Sequence, residues 1–134
     1  FGKMRLGGTI MRILLIDNDT SGLKLLKKYI SHFYKDCEII EFSDSKNAYD
    51  FIESCEYPID ICYTTVMMPC VTGFQIANQL KKINKNTDVV FLSVSPEYAL
   101  DAWNYSVVDY LLKPVTYEKI EHAVASCVPR FVAI

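Results

Sequence analysis

The sequence predicts an α/β protein with one five-stranded, parallel, doubly wound sheet in the order 2-1-3-4-5 and five helices. Two observations carry that prediction. Short apolar runs alternate five times with segments whose apolar residues fall three and four apart, the signature of strand followed by helix. The runs are also nearly continuous rather than alternating, as in strands covered on both faces. With 134 residues the chain accommodates one such domain and no second.

Phe1 to Ile10 shows no period, contains Gly2, Gly7 and Gly8, and precedes a Met11 that would make a natural start. It reads as a leader or expression-derived segment outside the fold, which leaves 11–134 as the domain. Met11 to Ile16, broken only by Arg12, is the first strand and ends at Asp17-Asn18-Asp19. Asp19 or Thr20 caps the first helix, whose Leu23, Leu26, Ile30 and Phe33 share one face, with Lys24, Lys27 and Lys28 mostly outside.

Glu38 to Phe42 is a short second strand whose flanking charges suit a sheet edge. Ser43, Asp44 and Ser45 offer a cap to the helix that carries Ala48, Phe51, Ile52 and Cys55, and Tyr57-Pro58 stops it. Ile59 to Tyr63 begins the third strand, which delivers Thr65 to the sheet rim before Met67-Met68-Pro69 turns the chain. Thr72 or Gly73 opens a helix to about Ile83, with Phe74, Ile76, Ala77 and Leu80 inward and Asn84 and Asn86 at the exit. Lys81, Lys82 and Lys85 read as its solvated face.

Asp88 to Leu92 is the fourth strand and ends at Ser93. Pro96 and Glu97 suit a first helical turn, so Tyr98, Ala99, Ala102 and Trp103 are expected in one short amphipathic helix. Val107 to Leu112 is the fifth strand and runs into Lys113-Pro114. The last helix starts near Thr116, turns Ile120, Ala123, Val124 and Cys127 inward, and ends before Pro129.

Composition excludes several functions. Hydrophobic residues at 51% and charged residues at 22% are globular proportions, and a formal charge of −2 argues against a nucleic-acid surface on this domain. The five cysteines contain no Cys-x-x-Cys pair and suggest neither a disulfide framework nor zinc, so free thiols in a reducing cytoplasm are expected. No apolar run reaches the ~20 residues of a membrane span.

The strand ends carry the functional signal. In an open α/β sheet, ligands bind beyond the carboxyl ends of the strands, and that edge here receives Asp17, Asn18 and Asp19 after the first strand, Thr65 after the third, Ser93 after the fourth and Lys113 after the fifth. No nucleophile and base converge there, so no catalytic residue is assigned and the chain is not read as an enzyme. His32 and His122 fall on helices away from this edge. Asp60 stands five residues before Thr65, ~16 Å away along a strand, and cannot substitute for it. Met67 and Met68 suit the rim or core better than a metal.

In order and spacing this set resembles the receiver domain of bacterial response regulators, over Met11 to about Cys127. Glu97-Tyr98-Ala99-Leu100 and Asp109-Tyr110-Leu111-Leu112-Lys113-Pro114 are similar to receivers that precede LytTR-type DNA-binding domains. The resemblance implies a phosphoacceptor aspartate four residues before the proline of the Met-Pro turn. Counting back from Pro69 gives Thr65, so the chain is expected to be a degenerate receiver, acting as a phosphorylation-independent regulatory and protein-interaction module.

By the same resemblance, Asn18 and Thr65 stand where direct metal ligands would be, and both are neutral. Asp17 would reach Mg²⁺ mainly through water and Met67 through its carbonyl, so Mg²⁺ binding is expected to be weak or absent and no cofactor is assigned. Lys113 is expected to pair with Asp17 or Asp19, with Pro114 cis, and Ser93 to bond locally, with Thr65 as a candidate partner. Tyr110 matches the rotameric switch position, and Trp103 and Tyr105 mark an interaction face. The partner implied is a protein or a second copy through the fourth helix, fifth strand and fifth helix; DNA would be read only by a domain absent from this chain. The rival reading is a flavodoxin-like sensor for a small molecule or nucleotide, but Asp17 to Gly22 supplies one glycine and several carboxylates where a phosphate loop is wanted.

Overall fold

The structure is a computed structural model that describes residues 3–5, 10–127 and 131–133. Five parallel strands form the central sheet: β2 (Met11–Ile16), β3 (Cys37–Phe42), β4 (Ile61–Thr65), β5 (Asp88–Ser93) and β6 (Asp109–Leu112), in the spatial order β3-β2-β4-β5-β6. This is the predicted 2-1-3-4-5 arrangement. The register sets Ile16 beside Thr64 and Thr65 beside Leu92, so the strand ends are level at one rim.

Helices cover both faces. On one side α1 (Thr20–Phe33) and α5 (Tyr117–Ser126) bury Leu23, Leu26, Ile30, Ile120 and Ala123 against Ile13, Leu15 and Tyr63. On the other, α2 (Ser45–Ser54), α3 (Gly73–Ile83) and α4 (Ala99–Ala102) bring Ala48, Ile52, Ile76, Leu80 and Ala102 onto Leu14, Cys62 and Phe91. β4 and β5 are buried along their whole length, which is why their sequences show no alternation. β3 lies at the edge, and its solvent-facing Glu41 pairs with Lys27 of α1 at 2.7 Å.

The helix starts follow from side-chain caps. Asp19, Asp44 and Thr116 each accept a backbone N–H of the first turn, and Thr72 forms a reciprocal capping box with Gln75. Two glycines make room where backbone or charge comes close. A Cβ at Gly73 would lie 2.4 Å from the Thr65 carbonyl oxygen, and one at Gly22 would lie 2.8 Å from an Asp17 carboxylate oxygen.

Several expectations are corrected. The stretch after β5 is not one helix but a 3-10 turn (Pro96–Tyr98), the four-residue α4, and a second 3-10 turn (Trp103–Tyr105) ended by Ser106 in a left-handed conformation. β6 starts at Asp109 rather than Val107. Lys81 is half-buried, not solvated, because its ammonium donates to the Thr87 carbonyl at 2.6 Å at the helix exit. Lys3–Arg5 (β1) pairs antiparallel with Phe131–Ala133 (β7), a two-stranded ribbon that the sequence reading left out. The rest of the presumed leader up to residue 9, and Pro129, lie outside the described residues. Among the described residues, no helix is long and apolar enough to cross a membrane.

Candidate functional site

Backbone hydrogen bonds between neighbouring strand ends build the rim. Asp17 N–H donates to Phe42 (3.1 Å), Val66 N–H to Leu92 (2.9 Å) and Lys113 N–H to Ser93 (2.8 Å), so the residues at this edge sit on fixed backbone. Asp17, Asn18, Asp19, Thr65, Ser93 and Lys113 are all brought to it. The loop from Val66 to Thr72 is pinned in turn: Ser45 donates to the Pro69 carbonyl at 2.7 Å and accepts from Val71 N–H at 3.3 Å.

The centre of the site is an ion pair. Lys113 Nζ lies 2.9 and 3.0 Å from the two Asp17 carboxylate oxygens, and the side chains are 16% and 2% exposed. Asp17 also accepts Asp19 N–H at 2.9 Å, so the buried carboxylate is fully engaged. Of the two partners expected for Lys113, the structure selects Asp17. Asp19 instead caps α1 through Ser21 N–H. The Lys113-Pro114 peptide is cis, as the resemblance implies.

Thr65 ends β4 beside this pair. It is buried, and its hydroxyl has no hydrogen-bond partner, which corrects the expected bond to Ser93. Ser93 Oγ accepts from Ser95 N–H at 3.1 Å within its own loop. Thr65, Ser93, Asn18, Asp19 and Lys113 line a cleft of about 340 Å³, whose outer wall is made by Met67, Val94, Glu97 and Tyr98. Met68, by contrast, is buried in the core. A second cavity of about 380 Å³ lies on the α1 side of Lys113 and Asp17, walled by Leu25, Leu26, Leu92 and Val115.

Away from the rim, Tyr110 is half-buried and its hydroxyl donates to the Ser95 carbonyl at 2.6 Å, tying β6 to the loop that borders the cleft. Trp103 is 80% exposed and Leu100 81% exposed, and Ala99, Val107, Val108 and Asp109 shape a hollow beside the indole. Tyr105 does not join that face: its ring stacks on Phe74 of α3 at 4.8 Å. His122 pairs with Asp109 at 2.7 Å and His32 lies 3.3 Å from the Tyr117 hydroxyl, both away from the Thr65 cleft. Gly22, which leaves space for the Asp17 carboxylate, is a site residue that sequence reasoning passed over. A glycine in the first turn of a helix, next to an acidic strand end, was the available signal.

Comparison with known proteins identifies the family. A family model described as the response regulator receiver domain matches residues 13–125. The sensory transduction protein LytT of Bacillus cereus is 31% identical over 112 residues, covering 83% of this chain and 44% of the relative. LytT of Bacillus subtilis is 28% identical, with 84% and 46% covered. The chain thus spans about half the length of these relatives. Among solved structures, a response regulator receiver domain protein from Clostridium thermocellum is 27% identical with a TM-score of 0.72, covering 88% of this chain and 94% of that one. The bacteriophytochrome response regulator RtBRR superposes with a TM-score of 0.80 at 20% identity, covering 94% of this chain and 82% of that one, and supports the fold alone. By sequence and by fold, this chain belongs to the response regulator receiver domain family.

Proposed function

We propose that this receiver is a phosphorylation-independent regulatory module of a response regulator. The observation that carries the reading is Thr65: the residue at the end of β4, four before Pro69 and beside Lys113, is a neutral hydroxyl. Acyl-phosphate chemistry needs a carboxylate nucleophile there, and no general base stands by to activate an alcohol. Asn18 removes a second charge, and both Asp17 oxygens are already held by Lys113, so a divalent ion finds few anionic oxygens to replace its water.

The output face is the exposed surface around α4. Leu100 and Trp103 suit contact with a second copy of this chain through α4, β6 and α5, since exposed aromatic side chains are favoured at interface centres. The relatives named LytT, together with the transcriptional regulatory protein NatR of Bacillus subtilis, support a place at the front of a longer cytoplasmic transcription regulator, with DNA read by another domain. The test is incubation with acetyl phosphate and Mg²⁺. The native protein should take no acid-stable, hydroxylamine-labile label, whereas Thr65→Asp should; label on the native chain would sink the proposal. Sedimentation of Trp103→Ala should show a shift toward monomer.

A further inference from the structure

The cleft over Thr65 has the wrong charge for a phosphoryl group and the right one for an organic cation. Lys113 and Asp17 neutralise each other at 2.9 Å. Asp19 and Glu97 both line the cleft, and neither forms a salt bridge among the described residues. The mouth therefore carries two carboxylates outside any salt bridge among the described residues, Asp19 as the cap of α1 and Glu97 beside the Tyr98 hydroxyl, and their charge repels anions and attracts ammonium groups.

The walls are apolar. Met67 is 49% exposed and Val94 83% exposed at the rim, and Tyr98 adds an aromatic ring to the lining. At the floor, the buried Thr65 hydroxyl has no partner, and a buried hydroxyl in that state is a standing cost that a polar atom of a ligand would remove. Ser93 accepts from Ser95 N–H and keeps its own O–H free to donate. A concave, largely apolar site with a few convergent polar groups is the usual form of a small-molecule pocket.

We propose that this cleft binds a small organic ammonium compound, an amine on an apolar body with a hydroxyl or carbonyl placed to meet Thr65, and that its occupancy replaces the phosphoryl group as input. The inference rests on the reading that Thr65 is not phosphorylated. A divalent metal is disfavoured because both Asp17 oxygens hold Lys113 and Asn18 beside them is neutral. The route to the output face is short. Ser95, Glu97 and Tyr98 line the cleft, the Ser95 carbonyl receives the Tyr110 hydroxyl, and the same loop leads into α4.

The experiment is a titration of the ¹⁵N-labelled chain with phenethylamine, using 2-phenylethanol and phenylacetate as neutral and anionic twins and following amide shifts. Phenethylamine should give saturable shifts at Asn18, Thr65, Ser93 and Glu97, with the alcohol at least tenfold weaker and the acid silent. An Asp19→Asn, Glu97→Gln double variant should bring the amine to the level of the alcohol; asparagine retains the cap of α1, and a native-like spectrum checks the fold. An amino alcohol, 2-amino-1-phenylethanol, should bind more tightly than phenethylamine to the native chain and lose that advantage in Thr65→Val.

Equal binding of the three twins, an unchanged double variant, shifts confined to other surfaces, or displacement of the amine by low-millimolar Mg²⁺ would each overturn the proposal. Acetyl phosphate labelling is scored separately, so failure of the phosphorylation-independent reading is distinguishable from failure of amine binding.

Discussion

Thr65 has little to do as a hydroxyl in the unliganded fold. It sits 6% exposed at the end of a buried strand with no partner for its oxygen. Replacing it by valine keeps the shape and the β-branching and removes the unsatisfied group. Thr65→Val is therefore expected to raise stability by about 1 kcal/mol, measured by urea denaturation, whereas a threonine held for packing and hydrogen bonding would show a loss. That sign is unusual for a residue at a functional rim, and it separates a degenerate site from a structural one. Lys113 illustrates the converse. Among the described residues its ammonium is the one cation on the buried Asp17 carboxylate, so the charge it neutralises gives it a structural role.

At the level of elements, the site depends on how closely α3 approaches β4. Gly73 N–H donates to the Val66 carbonyl at 2.7 Å, and a methyl group at Gly73 would meet the backbone of Thr65 and Val66 at 2.4 and 2.9 Å. Because the obstacle is strand backbone, which cannot rotate away, Gly73→Ala should cost about 2–3 kcal/mol in thermal or urea unfolding and displace the Thr65 end of β4. The same closeness explains what sequence could and could not reveal. Ile76, Ala77 and Leu80 show the face of α3 by spacing alone, and Thr72 and Asp44 announce their helices by cap chemistry, so strands, helices and their order were readable. The segment 96–105 was misread because Pro96, Glu97 and Ala99 suit a helix start locally, yet Tyr105 is drawn onto Phe74 and the backbone tightens into 3-10 turns on either side of α4. The membership of the site was legible from strand ends. Its internal pairing was not, since the choice of Asp17 over Asp19 for Lys113 depends on a cap and on the gap beside Gly22.

Across the whole molecule, the core buries groups that ionise only at high pH. Burial raises the Tyr34 and Tyr63 phenols and the Cys62 thiol well above their ordinary values, and burial together with the Asp36 charge pushes Cys37 up to about 11. The folded state thus holds these protons more tightly than the unfolded chain does. Their contribution to stability is complete below the unfolded values and is lost as pH climbs toward the folded ones, so the urea midpoint should fall steadily from about pH 8.5 to 11. A midpoint flat over that range would contradict the burial of these side chains. Trp103 completes the picture at the surface. It is the chain's one tryptophan, and its indole stands in water beside α4 rather than in either core. Intrinsic fluorescence is consequently almost blind to unfolding of this domain and sensitive to whatever comes to rest on that helix: a blue-shifted, less quenchable emission would register assembly, giving the molecule a built-in optical gauge of its own docking.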